Sequence, residues 1–172
     1  LGSAARSVAM TSIVIHEVVY LTEVRNISLT QASSALGAMV FISMVGRIAF
    51  GTLGDFVDKR FVLIVTYVLQ AVGIYILANV TNMAQVWLFV VVYGIAYGGA
   101  IPVFMAIVGE YYGRQYFATI RGFLQLFLVP TTVLGPIFAG LVYDRTGSYQ
   151  VAFMSFIVAL LVGTVFVFFS RK

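Results

Sequence analysis

The chain has 172 residues, 62% of them hydrophobic and 9% charged, with ten Lys and Arg against six Asp and Glu and a mean hydropathy of +1.05; a water-soluble domain is nearer half apolar and a quarter charged. That composition excludes a water-soluble enzyme domain, and ten scattered basic residues exclude the clustered basic face that nucleic acid needs. With no cysteine and a single histidine, His16, disulfide, thiol and transition-metal chemistry lack their side chains, and neither metal nor cofactor is expected.

A hydrocarbon layer about 30 Å thick is crossed by about 20 apolar residues of helix. Six stretches fit, at about 3–22, 31–53, 61–79, 84–110, 118–143 and 149–169, so the whole of 1–172 reads as one all-α membrane bundle. The first stretch has full span length and the chain opens with Leu1, which reads as a fragment rather than as a signal peptide. In that helix His16 shares a face with Ser12 and Tyr20, while Glu17 points about 100° away and is expected near the outer interface. Histidine titrates near neutrality, so His16 is a proton-relay or carboxylate-donor candidate, with a plain structural hydrogen bond as the alternative. Ser28 to Gln31 spell a capping box that opens the second helix.

In the second helix Arg47 lies about 9 Å inside the end, where a cation costs several kcal/mol unless it faces a cavity or a counter-charge. It shares a face with Ser33, Leu36, Val40, Met44 and Gly51, and Ser43 sits one turn away. A snorkelling or structurally paired arginine is the bland reading. The depth and the small, polar face favour a guanidinium that grips a carboxylate through two hydrogen bonds. The following loop, Gly51-x-Leu53-Gly54-Asp55-x-x-Asp58-Lys59-Arg60, gathers opposite charges at the membrane edge. There Asp55 is expected to cap the third helix or pair with Arg114, and Glu110 to accept from Lys59 or Arg60. The fourth helix, after a Thr81-Asn82 turn, carries Tyr93 and Tyr97 beside Gly94, Gly98, Gly99 and Pro102. This pattern suits close helix contact and bending, with Tyr97 able to present its hydroxyl to a polar substrate. A loop is expected over 111–117, and Gly135-Pro136 with Gly140 bends the fifth helix.

If alternate helix ends lie on opposite faces, one face collects Arg6, Lys59, Arg60, Arg114, Arg171 and Lys172, and the other only Arg25 and Arg145. The excess predicts that both ends of this segment are cytoplasmic in a multi-pass protein of the cell membrane. Gly51 to Asp55 and Gly140 to Asp144 repeat the pattern Gly, three residues, Asp at the ends of helices two and five. The second copy then lies upside down, as in the inverted 3+3 repeats of secondary transporters.

These residues resemble the C-terminal six-helix half of a twelve-helix major facilitator superfamily transporter, in particular the monocarboxylate transporter group and its bacterial relatives. Gly51 to Arg60 is similar to the superfamily's loop motif, with Asp58 where Gly is usual; Val45 to Gly51 is similar to the group's Arg-bearing segment, and Gly135 to Tyr149 to its helix 11 to 12 turn. The resemblance implies that Arg47 binds the substrate carboxylate, that Ser43 takes a neighbouring position often held by Asp or Asn, and that His16 and Tyr97 line the cavity. The middle of helix five, Leu126 to Val129, carries no Lys, unlike the oxalate exchangers, which favours a single carboxylate. The expected activity is alternating-access transport of small organic monocarboxylates with a proton, the partners being an N-terminal six-helix half, the bilayer, the monocarboxylate and the proton. An oxalate/formate-type anion exchanger, a non-transporting scaffold or receptor, and a channel are the alternatives. No bond is made or broken, so no enzyme is expected.

Overall fold

A computed structural model describes residues 2–169, with the side chain of Arg114 left out. Leu1, Arg171 and Lys172 lie outside the described residues, and so does the part that the Arg114 side chain plays in the charge pattern. Six long apolar helices are present: α1 (Gly2–Val24), α2 (Leu29–Phe56), α3 (Lys59–Ala78), α4 (Met83–Gly113), α5 (Gln115–Thr146) and α6 (Gln150–Phe169). The last turn of α1, Tyr20–Val24, is π-helical.

Polar side chains mark the helix starts. Ser28 caps α2, its Oγ accepting from the Gln31 N–H at 3.4 Å and donating to Gln31 Oε1 at 3.1 Å, so the two side chains bond each other. Asn82 caps α4 by accepting from the Gln85 N–H at 3.0 Å. Asp58 caps α3 by accepting from the Arg60 N–H at 2.9 Å. It takes the role expected of Asp55, because Asp55 still lies inside the last turn of α2. Gly147 ends α5 in the left-handed conformation, φ 65°.

The loop expected over 111–117 is absent. Helix persists through its tyrosines, and the chain passes from α4 to α5 at Gly113, whose φ of 71° and ψ of 171° suit only glycine. Gly113→Ala should therefore cost about 1–3 kcal/mol in backbone strain and lower the unfolding temperature in detergent. An unchanged temperature would show that the turn does not need this conformation.

Glycines set the helix crossings. A Cβ built on Gly98 of α4 would lie 1.8 Å from the Ser43 carbonyl oxygen of α2, and one on Gly46 would lie 2.1 Å from Ile95 O, so these two backbones touch. Gly73 of α3 lies beneath Tyr93 of α4, and Gly135 of α5 crosses α1 at Val8 and Ser12. Gly135 is thus a crossing point, beside Pro136 within α5. Around these contacts Ile13, Met39, Tyr67, Ile74, Phe89, Phe153 and Phe156 are buried. By contrast α2 and α5 leave Phe41, Met44, Ile48, Leu126, Phe127 and Leu134 exposed.

The contacts also separate two ends. Lys59 meets Glu110 at one, 2.6 Å apart. At the other, Arg25 Nη2 and the Tyr20 hydroxyl donate to Ala78 O at 2.6 and 3.0 Å, and Tyr143 stacks on Tyr149. The Gly51 to Asp55 turn lies at the first end and the Gly140 to Asp144 turn at the second, the opposed placement that an inverted repeat requires.

Candidate functional site

Because α2 continues to Phe56, Arg47 is nine residues, roughly 13 Å, from the helix end, deeper than the 9 Å read from the sequence. Its side chain is exposed and has no hydrogen bond or ion pair among the described residues. Ser33, Val40 and Met44 on its face are exposed as well, with Leu36 and Gly51 half-buried. The arrangement is a cation on an uncovered face of α2.

Ser43 does not join it. Four residues advance the helix by 400°, and the remaining 40° turns Ser43 into the glycine seam with α4. It is fully buried there, and its hydroxyl donates to Val40 O of its own helix at 2.6 Å. Tyr97 is half-buried, stacked on Tyr93 with centroids 6.4 Å apart, and its carbonyl accepts from Arg6 Nη2 at 3.3 Å.

His16 lies towards the Tyr149 end. Nε2 is 3.1 Å from Pro136 O and Nδ1 is 3.1 Å from the Tyr149 hydroxyl. A carbonyl only accepts, so Nε2 carries a proton and, in the neutral ring, the tyrosine donates to Nδ1. Both nitrogens are occupied, fastening α1 to α5 and to the start of α6. No hydrogen bond joins Arg47, Tyr97 and His16 to one another.

In the loop motif Lys59 Nζ donates to Glu110 Oε1 at 2.6 Å, and Asp58 lies 3.6 Å from Arg60. Gly54 is buried, its missing Cβ facing Lys59 and Val103 at 3.7 and 3.9 Å. Asp55 is exposed with no partner among the described side chains. Together with Gly54, Asp55 and Glu110 the charged residues line a cleft of about 330 Å³. Such partly exposed pairs contribute at most about 1 kcal/mol each, so the motif's main effect is positional, tying the α2 to α3 turn to α4. Pro102 packs 4.0 Å from the Gly51 position, at the same end of this α2–α4 contact.

Two residues fall elsewhere than the sequence suggested. Arg6, counted as a surface charge, is only 9% exposed, which leaves five basic residues against two in the orientation tally. Glu17, expected at the interface, is fully buried with both carboxyl oxygens unpartnered among the described residues. The available signal was the helical stripe Arg6, Ala9, Ile13, Glu17, Leu21 on α1, which the polar face of His16 obscures.

The sequence matches the Major Facilitator Superfamily over residues 1–172, while no curated protein matches it. The six long apolar helices are consistent with this match. The chain therefore belongs to the major facilitator superfamily, a family of membrane transporters, and its six helices form half of that fold.

Proposed function

We propose that this transporter moves small organic monocarboxylates by alternating access together with a proton, and that Arg47 is the carboxylate anchor. The observation that carries the reading is the Arg47 guanidinium, deep along α2, exposed and without a protein partner among the described residues. A cation at membrane depth with no counter-charge is stabilised by an anionic ligand, and the neutralised pair crosses the membrane barrier at lower cost than either charge alone. The exposed faces of α2 and α5 suit an N-terminal six-helix half as the covering partner. Uptake of labelled lactate by liposomes containing the complete protein, driven by an acid exterior, tests the reading; absence of uptake refutes it.

An organic anion exchanger is the second reading. Arg121, exposed on α5 six residues after Gln115, supplies a second membrane-edge cation that a dicarboxylate would use. Competition of lactate uptake by oxalate separates the two.

The Lys and Arg excess supports a cytoplasmic position for both ends of this segment in the cell membrane. A cysteine at Lys59 should then react only with reagents on the cytoplasmic side and one at Asn82 only with reagents outside. Labelling of both from one side would contradict the topology.

A further inference from the structure

The buried stripe of α1 faces a set of polar atoms that Arg47 does not use. Arg6, Ala9, Ile13, Glu17 and Leu21 are all buried on it, and neighbouring helices fix the levels. Gln70 Nε2 of α3 donates to Ala96 O of α4 at 3.2 Å, Gly73 lies beneath Tyr93, and the Tyr20 hydroxyl reaches Ala78 O. Ascending from Arg6 beside Tyr97, the interior thus presents Gln70, then Tyr93, then Glu17. Six buried atoms here have no partner among the described residues: Arg6 Nε, the Tyr67 hydroxyl, Gln70 Oε1, the Tyr93 hydroxyl and both oxygens of Glu17. Protein interiors rarely leave such atoms unsatisfied, and buried polar atoms without a protein partner are where internal water binds.

Glu17 is the member with a choice of charge. An ionised carboxylate without a counter-charge is very costly in this setting, whereas the neutral acid is an ordinary polar group that donates one hydrogen bond. Arg6, on the same stripe, is eleven residues or roughly 16 Å away, too far to pair directly. Tyr93 of α4, whose hydroxyl is buried and unpartnered among the described residues, stands between their levels. From α3 the polar groups on this side are Tyr67 and Gln70, both buried. The ionisable groups of α2, Arg47 and Asp55, are exposed, as is Glu23 beyond the stripe, and Tyr143 and Tyr149 beside α5 and α6 belong to the His16 cluster.

We propose that Glu17, assisted by Tyr93, is a proton-binding site inside the six-helix bundle, connected through bound water to Gln70 and Arg6 and separate from the anion anchor at Arg47. The proposal rests on the proton-coupled reading above and moves the proton from His16, whose nitrogens are both engaged, to Glu17. Loading adds a proton to the carboxylate to give the neutral acid; release passes it through the bound water to bulk water and leaves a carboxylate that the same water solvates.

Liposomes containing the complete protein provide the test. Wild type should concentrate lactate when the exterior is acidified, whereas Glu17→Gln should bring the accumulation ratio down to one, while both exchange labelled for unlabelled lactate without a pH gradient. Infrared titration gives a readout independent of substrate: wild type should show a carboxylic-acid C=O band that disappears on alkalinisation, and Glu17→Gln should lack it. Acid-driven accumulation by Glu17→Gln at the wild-type ratio, or persistence of the band in that variant, overturns the proposal. Wild type that neither exchanges nor accumulates lactate refutes the monocarboxylate reading instead, and the infrared band then decides for or against Glu17. If Glu17→Gln does not reach the membrane, Tyr93→Phe removes only the hydroxyl and keeps the ring on Gly73; it should shift the band's titration midpoint, and an unshifted midpoint overturns the proposal.

Discussion

Gly98→Ala should be among the most damaging single substitutions in the bundle. Its Cβ would lie 1.8 Å from the carbonyl oxygen of Ser43 and 2.6 Å from the carbonyl carbon, and neither atom belongs to a side chain that can rotate away. The helices must separate by more than 1 Å, which loosens the neighbouring contacts of Gly46 with Ile95, Gly94 with Met39 and Gly99 with Phe50. Overpacking of this kind costs about 1–3 kcal/mol and more where backbone must move, a large share of the roughly 5–15 kcal/mol that holds a protein folded. Ser43→Ala at the same contact removes only a hydroxyl bonded within its own helix and should cost less than about 1 kcal/mol. Thermal unfolding of both variants in detergent compares them, and a wild-type transition for Gly98→Ala would mean that α2 and α4 do not approach as described.

Arg47→Ala should abolish carboxylate uptake, and Arg47→Lys should weaken it at least about tenfold, or about 1.4 kcal/mol. The difference between the two follows from geometry. A guanidinium offers paired donors in a plane that matches both carboxylate oxygens, whereas an ammonium keeps the charge and loses the pairing. Because Arg47 has no partner among the described residues, removing it breaks no protein contact, so protein levels in the membrane should hold. Lys59→Ala breaks the ion pair with Glu110 and should slow cycling while leaving equilibrium lactate affinity near normal. Normal lactate affinity in Arg47→Ala would assign this arginine a structural role.

Helix number and order were legible because apolar length is a strong signal in a chain with so few charges. Local chemistry also carried Ser28 and the Lys59 to Glu110 pair, whose partners are near in sequence or meet at a shared membrane edge. What could not be read is which side of a nearly uniform apolar helix faces its neighbour. Arg6 was legible as a charge near the start of α1 but not as buried against Tyr97, since that depends on how far α1 is displaced along α4. The same applies to Ser43, where a 40° offset from Arg47 decides between open face and seam, and to Glu17, which sits next to His16 in sequence but is fully buried. Gly113 shows a further limit: two tyrosines and an arginine at the membrane edge resemble a loop, while a single glycine conformation is enough to reverse the chain.

If Arg47 recognises a carboxylate, discrimination between an acid and its amide measures this without reliance on transport rates. Lactate and lactamide differ little in size, so with the purified complete protein equilibrium binding should favour lactate by at least about tenfold, about 1.4 kcal/mol, and Arg47→Ala should remove that preference. Equal binding of the two by wild type, or an undiminished preference for lactate in Arg47→Ala, would contradict the account.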